Sequence, residues 1–448
     1  MPILAGFMVP HPPISVAEIG RGDEKKIQST LDSFDRVAEK IAELKPDTVV
    51  LTSPHSIAYT DYFHVSPGKS AVGDFSGFMA PQVKFEVEYD SEFADTLSKR
   101  ADRMNFPAGT YGERKKELDH GTMVPLYFIN KRYSNFRLVR IGLSGLPLAM
   151  HYQLGRLIRS VSDELGRRTV FVASGDLSHC QKEDGPYGYK KEGPEYDAKL
   201  MEVMSRGAFS ELLSFDDRLL ELSEECGHRS FVIMGGAFDH VAVDTEPLSH
   251  EATFGVGYGF AIYTPKASDL GASEIKEASE SSDALVNLAK KTVREYVTSG
   301  KTPAAVASVP ELEKRAGAFV SIHEFGMLRG CIGTISAVYK NLAEEIVQNA
   351  VSASTKDPRF HPIIPEEVED LDINVDVLSE AEPIDSPELL DVKRYGVIVE
   401  NGYKRGLLLP DLEGVDTVEE QISIARRKAG IKPEEKVQLY RFEVIRHV

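Results

Sequence analysis

The chain has 448 residues, of which 42% are hydrophobic and 27% charged, and a formal net charge of −18. That length exceeds what one hydrophobic core usually serves, so two domains are expected. The acidic balance argues against nucleic acid or an anionic membrane as the main partner. No apolar run approaches the roughly 18 residues of a membrane-spanning helix. Cys180, Cys226 and Cys331 are far apart and odd in number, so neither a disulfide framework nor a CxxC metal knuckle is present. The N-terminus lacks a basic region followed by an apolar stretch and a cleavage site, and the reading is a cytoplasmic protein.

Up to about residue 265, short apolar runs alternate with helical patterns, as in an α/β domain whose central sheet is flanked by helices. Residues 3–9 read as a first strand, running into Pro10-His11-Pro12-Pro13. Ile27, Leu31, Phe34, Ala38, Ile41 and Leu44 recur at helical spacing, and Pro46 ends that helix. A second strand, 48–52, leads to Ser53-Pro54-His55-Ser56. A helix at 91–104, a strand at 136–143 and a helix over 154–165 follow. The strand 169–173 then enters Ser174-Gly175-Asp176-Leu177-Ser178-His179, and a last strand is expected at 255–263. Residues 266–282 are rich in Ser, Ala and Glu and read as a linker. Beyond it, an α+β domain is expected, with helices at 284–299 and around 342–351. Its strands fall at 372–378, 396–400, 406–409 and 437–444, with Leu328 to Thr334 joining a strand to a turn.

In an open α/β sheet, function collects at the carboxyl ends of the strands. His11 and His55 both stand there, and two imidazoles from two strands would share one metal ion. Non-haem iron is commonly held by two histidines and one carboxylate, with the opposite face open. Glu225 is the expected carboxylate, because it precedes the apolar helical run 231–238 and lies near the positive end of that helix. Glu224, Cys226 and Glu251 are the alternatives, and Cys226 would give a softer site suited to copper or zinc. His179 follows a buried strand and is expected to act as general acid and base. His120 precedes another apolar helix and is expected to touch substrate or oxygen. His64, His151, His240, His250 and His323 read as surface or packing residues. In the second domain, Arg329 beside Cys331 would lower the thiol pKa and suit a nucleophile, an anion site or a peptide groove. The competing reading is that Gly330 and Gly333 shape a tight passage while Cys331 packs inside.

VPHPP (Val9 to Pro13), SPHS (Ser53 to Ser56), ELDHGTMVPL (Glu117 to Leu126), SGDLSH (Ser174 to His179) and ECGHRS (Glu225 to Ser230) carry a resemblance. Residues 1–265 resemble the class III extradiol ring-cleavage dioxygenases and their relatives, the Memo proteins. The resemblance implies Fe(II) on His11, His55 and Glu225, with zinc or copper as the other metals. It also implies acid–base work at His179, His120 near the substrate, and an aromatic diol and dioxygen as substrates. Cys226-Gly227 is closer to Memo, where a cysteine occupies the region of the glutamate and ring cleavage is not the expected activity. That variant implies a metal-binding or redox module. Residues 283–448 resemble the AMMECR1 domain through LRGCIGT (Leu328 to Thr334), Asp357-Pro358-Arg359-Phe360 and Lys404 to Pro410. That family has no settled activity. Proteins of the two kinds tend to accompany a radical-SAM protein, which implies such a partner. The expectation is a non-haem Fe(II) dioxygenase of extradiol type with an accessory AMMECR1 domain.

Overall fold

The computed structural model describes residues 3–115, 117–266, 283–324, 327–412 and 414–448. It divides into two compact units, Met1–Lys276 and Glu277–Val448. The linker expected at 266–282 lies, apart from Lys266, outside the described residues.

The first unit is built on β1 (Ala5–Val9), β2 (Thr48–Ser53), β3 (Arg137–Gly142), β4 (Thr169–Ser174), β5 (Val243–Glu251) and β6 (Tyr258–Pro265). They form one sheet in the order β3-β2-β4-β1-β6-β5. The first four are parallel, and β6 runs antiparallel to both of its neighbours. Every residue of β1, β2 and β4 is buried, because helices cover both faces of a parallel sheet. Strand β5 is absent from the sequence reading. Its residues are exposed or half-buried and include Pro247, which an edge strand tolerates. The hairpin of Ser70–Phe75 with Ala80–Glu88 was likewise unanticipated.

Six helices matter to the site: α1 (Gln28–Leu44), α2 (Ser91–Arg103), α3 (His120–Asn130), α4 (Leu148–Glu164), α5 (Glu192–Arg206) and α6 (His228–Ala237). Helix α1 buries Phe34, Val37, Ala38 and Ile41 along one stripe. Phe34 stacks on Phe128 of α3 with ring centroids 4.1 Å apart, and both rings belong to the main core. Asp119 caps α3 by accepting from the Thr122 amide at 2.9 Å. These contacts fix where α3 begins, and its first residue is His120.

The second unit is α+β. It comprises α7 (Ala284–Ser299), β7 (Ala318–Glu324), β8 (Met327–Gly333), α8 (Leu342–Thr355), β9 (Leu371–Leu378), β10 (Glu382–Ile384), β11 (Tyr395–Asn401), β12 (Lys404–Leu408), α9 (Val418–Ala429) and β13 (Gln438–His447). The antiparallel sheet runs β8-β7-β9-β13-β11-β12, with β10 added beside β13. Ala318, Val320 and Ile322 alternate inward along β7 and share a core with Leu285, Val286, Ile346 and Ala350 of α7 and α8. Asp283 caps α7 and also meets Nδ1 of His447 at 2.6 Å, tying the start of this unit to its last strand.

Candidate metal centre

Strands β2 and β1 lie on either side of β4, so their carboxyl ends open into one crevice over the end of β4. His11 stands two residues past β1 and His55 two residues past β2. Their Nε2 atoms come within 3.0 Å. His120 stacks on His55 with ring centroids 4.1 Å apart and lies 5.4 Å from His11. Three imidazoles from three elements therefore converge.

The hydrogen bonds set the protonation of His11. Its Nδ1 is 3.0 Å from Ser174 Oγ, and that hydroxyl donates to the Gly121 carbonyl at 2.6 Å. A hydroxyl has one proton, so Ser174 must accept from His11 Nδ1–H, which leaves Nε2 bare. Burial, reinforced by His55 and His120, holds His11 well below the ordinary imidazole range. Burial lowers His55 and His120 as well. Neutral imidazoles with a lone pair turned inward are the form that binds metal.

Cys226 completes the group. Its Sγ is 3.7 Å from His11 Nε2, and the ligand atoms of His11, His55 and Cys226 all lie within 4.8 Å of one another. The thiol is placed by two loops lying backbone to backbone. Asp176 N donates to Cys226 Sγ at 3.3 Å, and Cys226 N donates to Asp176 O at 3.4 Å. A Cβ on Gly175 would lie 2.1 Å from Gly227 Cα, so only glycine permits this approach. Burial, with Asp176 and Glu225 nearby, pushes the thiol well above its usual range. Ionising it calls for a cation at the site.

Glu225, the expected third ligand, does not join the histidines. Its carboxylate accepts from the His228 amide at 2.6 Å, the first residue of α6, and burial raises its pKa to about 7. The helix N-terminus that suggested Glu225 is what captures it, because the first amides of a helix have no partner inside it. The other carboxylates are also engaged. Glu224 has a left-handed φ of 53° and pairs with Lys190 at 2.6 Å. Glu251 accepts from the Thr30 amide and hydroxyl at the start of α1. Of the four candidates, Cys226 is the one turned to the histidines.

His179 donates from Nδ1 to the Glu224 carbonyl, and its amide donates to Ser223 O at 3.3 Å. A carbonyl cannot donate, so Nδ1 carries a proton. The ring meets Tyr187 edge to face at 5.1 Å. Asp176 was missed in the sequence, although it stands inside SGDLSH. It accepts from the His11 amide at 2.7 Å, and its other oxygen lies 3.9 Å from His11 Nε2.

In the second unit Arg329 does not serve Cys331. Its buried guanidinium meets both oxygens of Glu367, at 3.2 and 3.1 Å, and the His361 carbonyl at 2.8 Å. Cys331 is half-buried. Its sulfur accepts from Ser321 Oγ at 3.3 Å, and its amide donates to Asp357 at 2.9 Å. The cation beside it is Arg359, paired with Asp357 at 2.7 Å and 3.5 Å from the Cys331 carbonyl. Gly330 does shape a close passage: a Cβ there would lie 2.2 Å from the Ala353 carbonyl of α8.

Comparison with known proteins agrees with this architecture. Residues 5–261 match the family described as the catalytic LigB subunit of aromatic ring-opening dioxygenase, and residues 286–447 match the AMMECR1 family. The chain belongs to the LigB family through its first domain and carries an AMMECR1 domain at its C-terminal end. It is 40% identical to a Clostridium acetobutylicum protein over 98% of both chains. A Thermotoga maritima protein is 51% identical over 166 residues, which cover 36% of this chain and 95% of that protein. An uncharacterised Pyrococcus horikoshii protein of solved structure is 34% identical, covering 36% of this chain and 88% of its own, with a TM-score of 0.34. Among the described residues, no helix is long and apolar enough to cross a membrane.

Proposed function

We propose that the first domain binds one metal ion through His11, His55 and Cys226 and acts as a metal-binding or redox module on a ring-opening-dioxygenase scaffold. The convergence of the His11 and His55 Nε2 atoms with a thiol carries this reading. The donors fit a single ion. A 3.0 Å separation of the Nε2 atoms is close to that of neighbouring ligands bonded to one metal at about 2.0–2.1 Å. A thiolate with two imidazoles favours copper or zinc over the ferrous ion that two histidines and a carboxylate select. When bound, the ion would supply Lewis acidity or an electron-transfer centre. The chain's own groups do the rest. Ser174 fixes the His11 tautomer, and Asp176 holds the His11 backbone. His179, whose Nδ1 is held by the Glu224 carbonyl, offers Nε2 for proton exchange with a substrate hydroxyl.

A second reading, extradiol cleavage of an aromatic diol by Fe(II) and dioxygen, is favoured by the placement of His179 and His120 in this fold. Metal analysis of anaerobically purified protein, followed by copper, zinc and ferrous titrations, tests the first reading. The expected result is about one ion per chain, lost in His11→Ala, His55→Ala and Cys226→Ser and retained in Glu225→Gln. Binding that survives Cys226→Ser but disappears in Glu225→Gln would overturn it. Oxygen uptake with a panel of catechols, abolished by His179→Ala, would establish the second reading instead.

A further inference from the structure

The segment Asp119-His120-Gly121 touches every imidazole of the centre by a different route. Asp119 Oδ1 accepts from Ser53 Oγ at 2.5 Å, and that hydroxyl oxygen in turn accepts from the His55 amide at 3.2 Å. His120 supplies its own ring, stacked on His55. The Gly121 carbonyl accepts the Ser174 hydroxyl's hydrogen bond at 2.6 Å and so obliges Ser174 to accept from His11 Nδ1. Gly121 must be glycine for this to close, since a Cβ there would fall 2.4 Å from Ser53 Oγ and 3.3 Å from His55 Cδ2. The segment is itself anchored. Asp119 also accepts from the Thr122 amide and hydroxyl, both at 2.9 Å. The buried Arg140 guanidinium lies 3.9 Å from Asp119 and holds the Glu117 and Lys115 carbonyls at 2.9 and 3.1 Å.

We infer that Asp119 and Ser174 are positioning residues that, through this single segment, set the orientation of His55 and the tautomer of His11 and thereby tune metal affinity. The inference rests on the metal-binding reading above. Partners behind metal-ligating histidines typically change metal affinity by about 10–100-fold when removed. Because both act through one three-residue piece, their effects are coupled.

Cobalt(II) titration of the full chain, followed by its visible absorption spectrum and a thermal melt, is the test. Asp119→Ala and Ser174→Ala are each expected to weaken cobalt binding about 10–100-fold and to alter the band shape. The double variant should lose less than the product of the two. Asp119→Asn, which keeps one acceptor oxygen, should fall between wild type and Asp119→Ala, and it decides the question with Ser174→Ala if Asp119→Ala does not fold. Ile41→Ala, buried near the end of α1 that leads into the start of β2 and so at the sheet edge opposite the centre, should lower the melting temperature with cobalt affinity and spectrum unchanged. Variants that bind cobalt as wild type does, or that lower the melting temperature with cobalt affinity and spectrum unchanged as Ile41→Ala does, would overturn the inference while leaving the metal centre standing. Wild-type protein that takes up no cobalt would overturn the metal centre and this inference with it.

Discussion

Gly155 sits in the middle of α4, where local preference argues for alanine by about 1 kcal/mol. Packing argues the other way. A Cβ at Gly155 would lie 1.9 Å from the Ile233 carbonyl oxygen and 2.6 Å from the Ala237 nitrogen of α6. Ordinary contact needs about 3.5 Å, so the two helices would have to part by more than about 1 Å. Gly236 makes the reciprocal approach, with its Cβ position 1.8 Å from the Tyr152 carbonyl. Both obstacles are backbone, and no rotamer change relieves them. Overpacking of this kind costs about 1–3 kcal/mol, and the absence of relief points to the upper end. Subtracting the gain in helix preference leaves about 2 kcal/mol, or a melting temperature lower by about 4–8 °C in a domain of this size. Helix α6 starts two residues after Cys226, so displacing it also shifts the proposed thiol donor, and zinc affinity should fall with stability. Circular dichroism melts and zinc titrations of Gly155→Ala check both. A variant melting at or above wild type would refute the reasoning, because helix preference would then outweigh the close approach.

His151 is buried on α4 against Phe63, and burial lowers its pKa from 6.5 to about 4, offset only in part by the Pro147 and Ser144 backbone. The unfolded chain binds the proton below about 6.5 and the folded chain does not. Stability therefore rises with pH between about 4 and 6.5 and is lost on acidification, by up to about 1.4 kcal/mol per unit. His151→Leu should flatten that slope in urea melts at pH 4.5, 5.5 and 6.5; an unchanged slope would sink the argument. In the second unit, Arg329→Met takes from the buried Glu367 the guanidinium that meets both its oxygens and should cost about 3–5 kcal/mol. The expected sign is early loss of that unit's unfolding transition with metal binding by the first domain intact, and a wild-type melting profile would contradict it.

Local pattern carried the scaffold. A buried parallel strand must be continuously apolar, and a helix on its face must show a stripe, so the cores of β1, β2, β4, α1 and α4 are written in short windows of sequence. The placement of His11 and His55 follows from the same windows, since a residue just past such a strand stands at the carboxyl edge. Strand β5 escaped because an edge strand packs only weakly and its alternation is correspondingly faint. Side-chain direction was decided at longer range. Glu224, Glu225 and Cys226 are neighbours in sequence, where the helix start favours Glu225. The free amides of α6 drew in Glu225, and the Gly175–Gly227 approach turned Cys226 toward the histidines. Arg329 and Cys331, two residues apart, should share a face of a regular strand. The register shift that pairs Ile322 with Gly330 but His323 with Leu328 leaves Arg329 unopposed, and it turns inward to Glu367. Thus the sequence by itself determined the two-domain plan and which edge of the sheet holds the imidazoles, because both depend on periodicity and chain order. Only the tertiary structure decided which side chain turns to the histidines and formed the hub at Asp119-His120-Gly121. The hub depends on hydrogen bonds between residues more than fifty positions apart, and at the helix start the close approach of two loops exchanges a carboxylate for a thiol.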